Sequence, residues 1–215
     1  MRKIKWFWLI IIVYGIFILS NIIQEIDIHH ISQSTDWKLI VVNRWNEIPD
    51  NYNVILTELS NGQKIDRRIY PDLQDMFDDA RSKGIYPIIR EGYRTEKDQQ
   101  TIFNNKVQAY IKEGYSDKKA KELTRQMVAI PGTSEHQLGI AVDINADKAH
   151  SSNQEVYVWL ADNAYKYGFI LRYPLGKEKI TGTAYEAWHY RYVGKEAAEE
   201  IYSKQICLEE YLSNN

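Results

Sequence analysis

The chain opens with a polarity pattern found nowhere else along it. Arg2, Lys3 and Lys5 precede an uncharged run from Trp6 to Ile23. At about 1.5 Å per helical residue, such a run approaches the thickness of the hydrocarbon core of a bilayer. Basic residues before the run, with Glu25 and Asp27 after it, predict a cytoplasmic N-terminus and an external C-terminal portion. The run closes on Ser20-Asn21-Ile22-Ile23 without a small-x-small cleavage site, so the expectation is an uncleaved single-pass anchor in the cell membrane. A cleaved signal peptide and a buried globular helix are the alternatives, and the anchor or the signal would equally export the remainder to the extracellular face. Residues 1–5 then read as a cytoplasmic N-terminus, 6–23 as a transmembrane helix, 24–37 as a polar juxtamembrane tether and 38–215 as the folded domain.

Within that domain the period changes from stretch to stretch. Leu39 to Val42 reads as a strand. Pro71 to Lys83 places Leu73, Met76, Phe77 and Ala80 at helical spacing, with Pro at the start and Gly84 just beyond the end. Ile85 to Ile89 is β-rich, and its Pro87 predicts an edge position or a strand end. Thr95 to Glu113 reads as a long helix with Thr95 as N-cap and Gly114 as stop, and Ser116 to Ala129 as another. Strands are expected at Ile140 to Ile144 and Trp188 to Val193. Helices are expected at Gln154 to Tyr167, stopped by Gly168, and at Lys195 to Ser203. Elements that neither alternate strictly nor fall into blocks predict an α+β domain, with a small, largely antiparallel central sheet flanked by helices.

Composition narrows the function classes. At 215 residues and 44% hydrophobic, the chain has room for one domain of catalytic size plus a short extra segment. Lys and Arg number 27 against 29 Asp and Glu, which excludes the basic excess of a nucleic-acid binder. The single cysteine, Cys207, can form no internal disulfide and reads as an inert thiol, so a Cys-ligated metal site is not expected.

The candidate chemistry lies in two clusters, Ser134-Glu135-His136 with Asp143 seven residues on, and Glu186-Ala187-Trp188-His189. A catalytic zinc site uses three His, Asp or Glu ligands and leaves one position open for water, a count that His136, Asp143 and His189 meet. Glu135 and Asp147 compete for nomination by spacing alone, while His29, His30 and His150 sit in polar stretches that read as solvated surface. Glu186 is then a spare carboxylate of the kind hydrolysis needs for moving protons. The residues around it are β-rich, so it converges with His189 only from a loop or bulge ahead of the strand.

Gly92-Tyr93-Arg94-Thr95, Ser134-x-His136-x-x-Gly139-x-Ala141-x-Asp143 and Glu186-x-Trp188-His189 together resemble the three ordered signatures of the VanY-type D-alanyl-D-alanine carboxypeptidases. These belong with the VanX-type D,D-dipeptidases and the hedgehog signalling domain among the zinc peptidases. The resemblance runs from about Lys38 to Tyr202 and implies a hedgehog/D,D-peptidase-like fold. It implies Zn2+ held by His136, Asp143 and His189, Glu186 as catalytic acid and base, and Arg94 as the oxyanion's cation. Gln99 and Ser134 carry over as substrate contacts. The implied reaction is hydrolysis of the terminal D-Ala-D-Ala bond of peptidoglycan stem peptides. Thr95 stands where Ser is usual and Ala187 where Pro often follows the glutamate, and neither departure removes a reacting group. Trp188 is expected to pack behind the site, and Val107 to Ile130 to shape the cleft mouth. The rival readings are a related cell-wall peptidase (a D,D-dipeptidase, an L,D-carboxypeptidase or an L-Ala-D-Glu endopeptidase) and a non-catalytic cell-wall-binding module. Intact Glu186 and Arg94 argue against the last.

Overall fold

The computed structural model describes residue 34 and residues 36–213. The anchor at 6–23 and nearly all of the tether lie outside the described residues. Among those described, no helix is long and apolar enough to cross a membrane.

A four-stranded antiparallel sheet in the order β3-β4-β6-β5 organises the domain: β3 (Pro87–Glu91), β4 (Ala141–Ala146), β6 (His189–Tyr192) and β5 (Phe169–Leu171). A separate hairpin pairs β1 (Leu56–Glu58) with β2 (Lys64–Asp66). The helices α1 (Tyr70–Ser82), α2 (Glu96–Lys112), α3 (Asp117–Arg125) and α4 (Asn153–Asn163) flank the sheet. A short helix α5 (Glu178–Thr181) follows, then α6 (Lys195–Lys204) and α7 (Leu208–Ser213). The α+β architecture with a small antiparallel sheet is therefore as the pattern predicts.

The main core forms where α1 and α4 meet the sheet. Leu73, Met76, Phe77 and Ala80 of α1 are all buried, and they join Ile144 of β4, Val156 and Leu160 of α4 and Phe169 of β5. Helix starts follow capping chemistry. Thr95 Oγ1 accepts from Asp98 N at 3.1 Å, and Ser152 and Glu155 form a reciprocal capping box. Pro87 is the first residue of β3, and β3 is an edge strand, where a missing N–H costs no ladder bond.

Three expectations need correction. Leu39 to Val42 is not a strand, although Ile40, Val41 and Val42 are buried. Ile40 and Val42 join the main core while Val41 packs with Ile170 and Val193 in a second one, which explains the apolar run. The carbonyls of Lys38 and Ile40 are served by the Arg191 guanidinium, at 2.9 and 2.8 Å, rather than by a neighbouring strand. The helix expected over Ser116 to Ala129 stops at Arg125, and the Ala129 carbonyl accepts instead from Gln99 Nε2 at 2.6 Å, tying the segment back to α2. The last expected strand begins at His189, one residue later than the pattern suggests. The β1–β2 hairpin, β5, α5 and α7 are too short to carry a periodic signal.

Candidate metal centre

Sheet register builds half of this site. Asp143 of β4 lies directly opposite His189 of β6, so the two side chains share one face of the sheet. Asp143 Oδ1 is 3.0 Å from His189 Nδ1. His136 comes from a 3-10 turn, Glu135–Leu138, that runs into β4 through Gly139 at φ +71°. A Cβ on Gly139 would lie 2.7 Å from Val54, so both the turn and the packing call for glycine. His136 Nε2 approaches the same Asp143 oxygen at 3.4 Å. One donor atom from each of His136, Asp143 and His189 lies within 4.8 Å of the other two.

The ring nitrogens pointing away from this cluster are also engaged. His136 Nδ1 lies 2.8 Å from the Gly92 carbonyl, which can only accept, so that nitrogen carries a proton and Nε2 is the one turned toward the cluster. His189 Nε2 faces Glu135 Oε2 at 3.5 Å, leaving Nδ1 for the cluster. Burial alone would raise the pKa of Asp143, but hydrogen bonds with His136 and His189 outweigh it and hold the carboxyl well below its usual range. Two inward ring nitrogens and an ionised carboxylate form a donor set that fits Zn2+ with three protein ligands and an open position.

Glu186 sits in a turn ahead of β6, closed by His189 N–H donating to the Glu186 carbonyl at 3.5 Å. That turn carries the Glu186 carboxylate to 3.8 Å from His189 Nδ1. Burial pushes the Glu186 pKa up and nearby Asp143 and Glu135 add to this, against His189 and Arg94. Arg94 lies across the site. Its Nη1 donates to Gln99 Oε1 at 2.7 Å, and its Nε is buried without a hydrogen-bond partner.

A cleft of about 430 Å³ opens over these groups, lined by Arg94, Gln99, Ser134, Glu186 and Trp188 among others. The volume falls within the ordinary range for small-ligand sites. All seven nominated residues thus gather around one cavity. Gln99 enters it with both ends of its amide occupied, by Arg94 and by the Ala129 carbonyl. Met127 and Ile130 of the long connection also line the cleft, as expected for its mouth. Trp188 does not pack behind the site: it is 39% exposed and lines the cleft, because it precedes the strand whose alternation would have turned it inward.

Glu135 is not part of the donor cluster. Its Oε1 accepts from Arg172 Nε and Arg191 Nη1, both at 2.7 Å, and its other oxygen backs His189. Asp147 is exposed and pairs with His150 away from the cleft. His29 and His30 lie outside the described residues. Spacing gave no sign of Arg172 and Arg191 in this setting, since a buried guanidinium and a surface one look alike in a sequence.

Comparison with known proteins agrees with this geometry. The family model described as VanY, D-alanyl-D-alanine carboxypeptidase, matches residues 62–195. A D-alanyl-D-alanine carboxypeptidase of Enterococcus faecalis is 57% identical over 178 residues, which span 83% of this chain and 66% of that protein. The solved structure of a vancomycin-resistance D,D-pentapeptidase VanY from a VanB-type cassette, in complex with Zn(II), superposes with a TM-score of 0.79 at 58% identity. It covers 82% of this chain and 99% of that one. VanYB in complex with D-alanine-D-alanine gives a TM-score of 0.81 at 57% identity, over 84% and 99% of the two chains. A family match over more than half the chain, together with such close structural neighbours, makes this chain a member of the VanY D-alanyl-D-alanine carboxypeptidase family.

Proposed function

We propose that this chain is a zinc-dependent D,D-carboxypeptidase that hydrolyses the terminal D-Ala-D-Ala bond of peptidoglycan stem peptides. His136, Asp143 and His189 would hold the metal, Glu186 and Arg94 would act on the substrate, and Gln99 and Ser134 would line its path. The convergence of three inward donor atoms with a spare carboxylate at 3.8 Å, on the floor of a cleft, carries this reading.

Bound Zn2+ supplies Lewis acidity, polarising the scissile carbonyl and making water acidic enough to attack at neutral pH. Glu186 accepts the proton of the attacking water and delivers it to the departing D-alanine amine. Its raised pKa suits both transfers better than that of an ordinary carboxylate. Arg94, steered by Gln99, offers a fixed cation to the oxyanion as it forms, where a preorganised charge gains most in the transition state. Incubating the zinc-loaded full chain with pentapeptide and tetrapeptide stems tests the assignment. Release of D-alanine from the pentapeptide alone is expected. Cleavage of the tetrapeptide alone would make it an L,D-carboxypeptidase, and binding of both without release would make it a binding module.

The same reading places the domain on the outer face of the cell membrane, tethered through residues 6–23. The basic flank of that apolar run supports this orientation, and the location would put the cleft beside its polymer. Protease treatment of intact spheroplasts should remove the domain from the membrane fraction. Full protection would reverse the orientation.

A further inference from the structure

Behind the candidate metal centre lies a group of charges that the chemistry above does not use. Two guanidiniums and two carboxylates, Arg172, Arg191, Glu135 and Glu209, are packed together with side chains wholly out of solvent. Arg172 forks between the two acids. Its Nε donates to Glu135 at 2.7 Å, while Nη1 and Nη2 donate to the two oxygens of Glu209 at 2.9 and 2.6 Å. Arg191 gives Nη1 to the same Glu135 oxygen, and its remaining donors go to backbone carbonyls. Asn43 Nδ2 donates to Glu209 Oε1 at 3.0 Å. The free oxygen of Glu135 faces His189 Nε2.

Charge counting gives this arrangement a purpose. Glu135 alone, between two arginines, would be an over-neutralised acceptor with an excess positive charge beside His189. Glu209 brings the second negative charge, so the quartet is neutral and Glu135 keeps electron density to spend on the imidazole N–H. A strong acceptor on one ring nitrogen fixes the tautomer and makes the other nitrogen a better ligand. Removing one member of such a buried set leaves an uncompensated charge, whereas removing an opposite pair does not.

We propose that Glu209, on the C-terminal helix α7, is a positioning residue for the metal centre, acting on His189 through Arg172 and Glu135. This inference rests on the reading of His189 as a ligand. The test uses the full chain and measures zinc affinity by chelator competition, the Co2+ absorption spectrum, and the melting temperature of the metal-free protein. Glu209→Gln should weaken zinc binding by about 10- to 100-fold and shift the Co2+ bands. Ile201→Val, in the core that also holds Leu208, should lower the melting temperature without moving either metal readout. The double variant Arg172→Met/Glu209→Gln, which restores charge balance, should recover most of the affinity. Wild-type affinity and spectrum in Glu209→Gln would overturn the proposal, as would a double variant no better than the single one. His136→Ala is run in parallel. Should it keep full zinc affinity, the metal site itself is misassigned and this inference falls with it; should it lose zinc while Glu209→Gln does not, only the present inference fails.

Discussion

Glu186 and His136 sit within one cleft yet are asked for different things, and substitution separates them. Glu186→Ala removes a proton carrier but none of the three inward donor atoms, so the variant should keep its zinc while turnover falls by about 10²- to 10⁴-fold. His136→Ala should lose metal and activity together, as read by elemental analysis of the purified proteins. Equal metal loss in both would mean that the two roles are wrongly assigned. Cys207 is a second case in which environment decides behaviour. It is 1% exposed, and burial pushes its thiol pKa up to about 12. The native protein should therefore resist a thiol reagent at pH 8 and react once unfolded, because the thiolate is the reactive form. The sequence conveyed the identities of the candidate ligands well, through ordered motifs with distinctive spacing. It did not convey what stands behind them. No spacing shows that Glu135 serves the back of His189 rather than the metal face, since that depends on Arg172, just past β5, and Arg191, within β6, both reaching Glu135.

Among elements, those with long amphipathic patterns and side-chain caps were legible before any coordinates. Helix α1 begins with Pro71 in its first turn, ends before Gly84 and buries the four side chains its period selects. Elements held by non-periodic contacts were not legible. Leu39 to Val42 has the composition of a strand, yet the Arg191 guanidinium meets the Ile40 carbonyl and that of Lys38 just before it, and two cores share its side chains. The link between β3 and α2 shows how finely one connection is set. Gly92 has no room for a Cβ, which would lie 2.2 Å from the Lys64 carbonyl, and its own carbonyl accepts from His136. Gly92→Ala should cost about 1–3 kcal/mol of stability through the forced backbone shift and weaken zinc binding through His136 as well. Denaturant melts and chelator competition read the two effects separately. Unchanged values in both would show that the Lys64 segment yields freely.

For the whole molecule, a bound ion would join His136 and Asp143 to the distant His189, on a 3-10 turn, β4 and β6. Anything that binds the folded state and not the unfolded one stabilises it by mass action, by about 4 kcal/mol when free ligand is a thousandfold above its dissociation constant. Chelator-treated protein should therefore melt at a lower temperature than the zinc-loaded form, and restored zinc should return the difference. Identical melting curves would mean that the fold does not feel the ion. The α+β class was legible at this scale because short strands and long helices leave different periods, whereas the strand order β3-β4-β6-β5 was not, since it depends on pairings between distant segments.

The facing of Asp143 and His189 across β4 and β6 has a further consequence. Sliding one strand past the other by a single residue would turn the imidazole and the carboxylate toward opposite sides of the sheet. A misaligned sheet would then be unable to capture the ion and would forgo its stabilisation. Metal uptake would thus proofread the folding of this domain, rewarding only chains whose two central strands have come together in the right register.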